Sequence, residues 1–209
     1  MTSPNMAHGA PSPGARPAPE RQQSRLLPAV FARLKPAPRL RVLEVGLALP
    51  ETVAFFSQWP CRLRFADLYS EALVRDQQND LSQKKMQREF TELLGFPVGS
   101  MLDLVLFWDF LNYLNRPALR AFSAALQPYV HPGTRAHGFS VLNVQTPLRN
   151  QKYSIEQPDT VLVRPAGRKQ LHYYPHSHEE LNESMSCFDI ERGWLLPDGR
   201  LEILLAATV

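Results

Sequence analysis

Three groups of residues in this 209-residue chain have types and spacings that chemistry uses. The first is Glu44-Val-Gly46, at the end of an apolar run from residue 40, together with Asp67 at the end of Arg62-Leu-Arg-Phe-Ala. A glycine after a strand lets backbone N–H groups approach a ligand, and a carboxylate accepts hydrogen bonds from paired hydroxyls. The second is Trp108-Asp109-Phe-Leu-Asn112-Tyr113, which follows the most hydrophobic run of the chain, residues 101–107. Asp109, Asn112 and Tyr113 are types that take a proton or orient a nucleophile. The third is His172, His176 and His178. His-x-His invites a metal, but no carboxylate or cysteine stands at a convincing ligand spacing, and no metal is expected. A surface loop leading into the helix-capping pattern Ser177-His-Glu-Glu180 is the plainer reading. Plain readings exist for the others too: Glu44 and Asp67 as polar strand ends, Asp109 and Asn112 as helix caps, Trp108 as core.

Positioning these residues requires alternating strands and helices. Val42, Leu43 and Val45 are strand formers in a run too short for a helix, and apolar residues on both faces imply a sheet covered on both sides. Gly46 permits a tight turn, and Pro50 suits the first turn of a helix over 51–59. A second strand over 62–67 follows the stop at Pro60. Residues 70–94 read as helix broken near 77–80, closed by Gly95 and Pro97. Strand 101–108 is central and buried. Pro117 opens a helix that ends at Pro128 and His131-Pro-Gly133, and 136–143 is the next strand. Residues 144–169 break the alternation: 153–155 and 160–164 form two short strands around Gln157-Pro-Asp159, as an appended hairpin or a flap. A helix from Ser177 and a hairpin over 188–206, turning at Pro197-Asp-Gly199, complete the chain. Ahead of all this, a short helix over 26–34 packs on the sheet. Residues 1–25, rich in Pro, Ala, Ser and Gly, read as a disordered tail.

Composition narrows the classes. One α/β domain with a real core fits the length. The net charge of +3 is mild and the basic residues are spread along the chain, so nucleic acid is an unlikely partner. Two cysteines without a Cys-x-x-Cys pair fit a reducing, cytoplasmic setting. No apolar run reaches membrane-spanning length, so no membrane partner is expected. Phosphate-binding loop, Gly-x-Ser-x-Gly elbow and Ser-His-Asp order are all missing, which removes kinases and hydrolases.

The order of pieces over residues 26–209 resembles the class I S-adenosylmethionine-dependent methyltransferases. The resemblance implies a three-layer Rossmann-like α/β fold, a mostly parallel sheet with a terminal antiparallel hairpin. It implies S-adenosylmethionine as cofactor, a methyl acceptor as partner, and these roles by position. Glu44, Gly46 and Ala48 form the loop that meets the amino-acid part of the cofactor, in a stretch where the family has acidic-x-Gly-x-Gly-x-Gly. Asp67 and Leu68 stand where the family holds the ribose hydroxyls. Trp108 is a wall, with Asp109, Asn112 and Tyr113 beside the methyl group. The departures are Ala48 and Pro50 in place of glycines, and the lack of a third strand ending in Asp or Asn, the family's adenine contact. They leave a rival reading, a catalytically silent member that serves as an interaction module for a protein partner.

Overall fold

The computed structural model describes residues 18–34, 38–167 and 169–209. Along the chain run β1 (Glu20–Gln23), α1 (Leu27–Arg33), β2 (Leu40–Val45), α2 (Pro50–Phe56), β3 (Cys61–Ala66), α3 (Ala72–Arg75), α4 (Gln83–Leu94) and β4 (Leu102–Trp108). There follow α5 (Arg116–Leu126), β5 (Val130–Ser140), β6 (Gln151–Gln157), β7 (Thr160–Pro165), α6 (His178–Ser184), β8 (Phe188–Leu195) and β9 (Leu201–Ala207). Six strands make the main sheet in the order β3-β2-β4-β5-β9-β8. The first four are parallel, and β9 enters antiparallel between β5 and β8. This is the α/β architecture with a terminal hairpin that the sequence predicts.

Both faces of the sheet are covered, and the strands alternate accordingly. Leu43, Val45, Val105 and Phe107 face a core shared with Phe90 of α4 and Phe122 of α5. Val42, Leu104, Leu106 and Trp108 face the other way, onto Leu27 of α1 and Phe56 of α2. That second layer also holds the hairpin β6–β7, whose Tyr153, Ile155, Val161 and Val163 belong to the same core. Helix ends follow local rules: Ser82 and Asn115 cap α4 and α5, Gly95 closes α4 at φ +56°, and α6 carries the full capping box of Ser177 and Glu180.

Three expectations are corrected. Residues 1–17 lie outside the described residues, but the rest of the expected tail is structured: β1 pairs antiparallel with β7, and Ser24 is buried. Glu202, reaching across from β9, accepts hydrogen bonds from the Ser24 hydroxyl and from the N–H groups of Arg25 and Leu26, so the entry to α1 is held by a residue far along the chain. His131-Pro-Gly133 lies inside β5 instead of ending a helix. An irregularity in the β4–β5 register between Leu102 and Leu104 accommodates it, with the Thr134 hydroxyl donating to the Leu102 carbonyl at 2.6 Å. His176 is buried rather than on a surface loop, with Nε2 2.8 Å from the Leu114 carbonyl, and among the described residues no cluster suits a metal ion.

Candidate active site

β2 and β3 run in parallel register, so Glu44 pairs with Phe65 and Val45 with Ala66, and the ends of both strands open on one edge. Gly46 leaves the sheet at φ +150°, with nothing within 4 Å of where a Cβ would stand. Pro50 then starts α2, as expected. β4 ends beside them with an irregular register against β5, and Trp108 adopts φ +52°. A bulky residue there is strained by roughly 1–3 kcal/mol, the kind of distortion that collects at sites. Gly138 makes it possible: a Cβ at that position would stand 2.9 Å from the Trp108 carbonyl oxygen.

The result is a crevice lined by Glu44, Gly46, Asp67, Trp108 and Tyr153. Trp108 Nε1 donates to Glu44 Oε1 at 3.1 Å, and the Thr52 side chain also acts on the same carboxyl. Burial pushes the Glu44 carboxyl up to about 8 against the pull of Trp108 and Thr52, so it is mostly protonated at neutral pH. Asp67 is half-buried and accepts from the Ser70 hydroxyl. Behind the crevice Asp109, fully buried, accepts from Tyr69 at 2.7 Å and from Tyr153 at 3.0 Å, with the Tyr113 hydroxyl at 3.5 Å. Burial and the Asp109 charge hold Tyr69 and Tyr153 well above the usual phenol range, so both remain donors. Arg200 Nη1 donates to the Tyr153 oxygen at 2.9 Å.

The sequence-derived set separates on this geometry. Glu44, Gly46, Asp67 and Trp108 meet in one crevice, with Asp109 behind it. Ala48 is exposed and off the lining, although its neighbours Leu47 and Leu49 both line the crevice. Leu68 points into the core on the other face of the sheet. Asn112 is a main-chain tie: its Nδ2 donates to the carbonyls of Asp109 and Phe139, and its Oδ1 accepts from Val141 N–H. Tyr113 is buried edge-on against Tyr69. Neither Asp109 nor Asn112 caps α5; Asn115 does. Tyr69, Tyr153 and Arg200 went unread, since the hydrogen bonds of Tyr69 and Tyr153 to Asp109 and of Arg200 to Tyr153 span 40–47 residues of sequence. The only local signal was that Tyr153 sits in the segment that breaks the alternation.

No family model and no curated protein matches the sequence. Solved structures do. DesVI of Streptomyces venezuelae aligns with TM-score 0.51 at 14% identity, over 88% of this chain and 89% of its own. The 1,6-didemethyltoxoflavin-N1-methyltransferase of Burkholderia thailandensis, solved with 1,6-didemethyltoxoflavin and S-adenosylhomocysteine, aligns with TM-score 0.49 at 14% identity, over 88% of this chain and 78% of its own. Together with the strand order, the likeness to DesVI decides the architecture. This chain has the Rossmann-like methyltransferase fold.

Within that fold one strand is missing from its expected place: among the described residues β3 is the edge of the sheet, and no strand lies beyond it. The residues 67–101 that would supply it pass through α3 and α4, whose buried Leu73, Val74, Met86 and Phe90 join the core shared with α5. The fit to S-adenosylmethionine is therefore divided. Carboxyl groups and a glycine stand at the right strand ends of the methyltransferase fold. The cavity between them, however, has a volume of about 20 Å3, room for roughly one water. Tyr153 forms one wall of it, stacked on Trp108 with ring centroids 5.4 Å apart at 14°.

Proposed function

We propose that the chain is an S-adenosylmethionine-dependent methyltransferase whose crevice is closed, in this state, by its own Tyr153. The observation that supports it is the meeting of Glu44, Gly46 and Asp67 at the carboxyl ends of two adjacent parallel strands, beside Trp108. When bound, the cofactor supplies a methyl group already activated on a sulfonium; alignment and exclusion of water fall to the protein. Asp67 offers a carboxylate to hydroxyls, Gly46 offers approach to the backbone, and Trp108 walls the crevice. Asp109 anchors the tyrosines around it, and β6–β7 shapes the acceptor side.

A second reading has its own observation. The filled crevice, with Ala48, Pro50 and the missing outer strand, favours a catalytically silent member that keeps the fold for protein interaction. Asp67→Ala in a Tyr153→Ala background separates the two. The first reading expects S-adenosylhomocysteine binding in the single variant and at least ten-fold weaker binding in the double, with unchanged far-UV circular dichroism. Equal affinity in both variants removes Asp67 from the site.

A further inference from the structure

A larger hollow shares Gln151 with the crevice. It has a volume of about 780 Å3, and its walls include all four residues of β1 and the consecutive residues Trp194, Leu195 and Leu196 at the end of β8. Successive side chains of a strand point to opposite faces. The hollow is touched by all four successive residues and also by Val163 of β7 and Gln151 of β6, so it wraps the side of β1 and opens over the face of the small sheet. Among the described residues both strands are edges, β1 of the small sheet β1-β7-β6 and β8 of the main sheet. An open strand edge presents unpaired N–H and C=O groups in register for another extended chain.

The side chains say which chain. Four arginines, Arg21, Arg25, Arg149 and Arg200, stand against two carboxylates, Glu20 and Asp198, on the walls. Arg21 is engaged with Glu156, and Arg200 with Asp198 and Gln22. Arg25 and Arg149 are exposed and enter no ion pair among the described residues. Trp194 and Leu195 are 50% and 64% exposed, and Arg25 lies over the Trp194 ring at 5.8 Å. Residues 1–17 contain no Asp or Glu, so the chain's own leading segment lacks the complementary charge.

We propose that this groove binds an acidic peptide segment of another protein in extended conformation, its backbone along the open edge of β1 and its carboxylates on Arg25 and Arg149. Apolar side chains of the peptide rest on Trp194 and Leu195. The strand edge favours a peptide over a nucleic acid, whose backbone offers no N–H and C=O ladder. The inference stands independently of cofactor binding.

The test is fluorescence anisotropy of the intact protein with a labelled peptide of alternating Glu and Leu, its Lys–Leu counterpart, and a labelled single-stranded oligothymidine. The proposal expects binding of the Glu–Leu peptide that weakens with salt, and none of the Lys–Leu peptide. It expects at least ten-fold weaker binding by Arg25→Glu/Arg149→Glu, a variant of two exposed residues whose melting curve should be unchanged. Hydrogen exchange at Glu20–Gln23 should slow on binding. Tighter binding of the oligothymidine overturns the proposal, as does affinity indifferent to the double charge reversal. A concentration-dependent sedimentation coefficient without peptide also overturns it, because the edge would then serve a second copy.

Discussion

Trp108 carries the largest local distortion of the site, and what holds it there is readable atom by atom. Its indole donates to Glu44, its ring is stacked by Tyr153, and its carbonyl passes over Gly138. Gly138→Ala should push that carbonyl away and cost about 1–3 kcal/mol in denaturant unfolding, as overpacking does. Glu44 gives a pH prediction. Its pKa is raised from 4.5 to about 8, so its contribution to stability is fully present below about 4.5 and falls as pH rises toward about 8. Glu44→Gln should flatten that decline: the wild type loses stability between pH 5 and pH 8, and the variant loses less. An identical pH profile for both proteins would mean that Glu44 titrates normally. Asn112→Ala leaves the Phe139 carbonyl and the Val141 N–H unpaired in the core. It should lower stability by roughly 2–3 kcal/mol, as a structural tie does.

At the scale of elements, the strand ends were legible because strand periodicity, Gly46 and Pro50 are local signals. The element that lines the crevice, and that the proposed function makes its closure, was legible only as an anomaly, residues 144–169. Where it docks depends on contacts with no local trace: Ile155 N–H to Thr52 at 3.1 Å, Arg164 to Glu51 at 2.6 Å, Tyr153 to Asp109. β1 was misread for the same reason. Glu20-Arg-Gln-Gln has no apolar pattern, and its order comes from β7 and from Glu202. Burial raises the Glu202 carboxyl, but the hydrogen bond and charge of His137, with Ser24 and the Arg25 N–H, outweigh it and hold it down to about 2. A lowered carboxyl contributes stability above its unfolded value near 4.5, and this is lost as pH falls through about 2. Glu202→Gln should speed hydrogen exchange in β1 and α1 and should move the acid-unfolding midpoint to higher pH. Unchanged exchange there would detach the amino-terminal segment from this anchor.

For the whole molecule, magnitudes decide how the crevice would open under the proposed function. Tyr153, Ile155, Val161 and Val163 are buried in the common core. Exposing four such side chains costs roughly 6–12 kcal/mol at 1.5–3 each, whereas micromolar binding supplies about 8 kcal/mol. Lifting the hairpin would consume the binding energy. Turning out Tyr153 alone costs only its own share, so the account places the gate in one side chain. The fold class was legible because element order survives poor motifs. The loss of the outer strand showed in the sequence as a missing acid, and its cause, helices α3 and α4 drawn into the core over α5, needed the structure.

Calorimetric titration with S-adenosylhomocysteine of the wild type, Tyr153→Phe and Tyr153→Ala tests the central claim most directly, with melting curves to show that each is folded. The account predicts at least ten-fold tighter binding by Tyr153→Ala than by the wild type, reaching micromolar strength, about −8 kcal/mol. Tyr153→Phe, which loses the tie to Asp109 but keeps the ring, should fall between. No heat from a folded Tyr153→Ala at several temperatures would contradict it and leave the silent module as the reading of this fold.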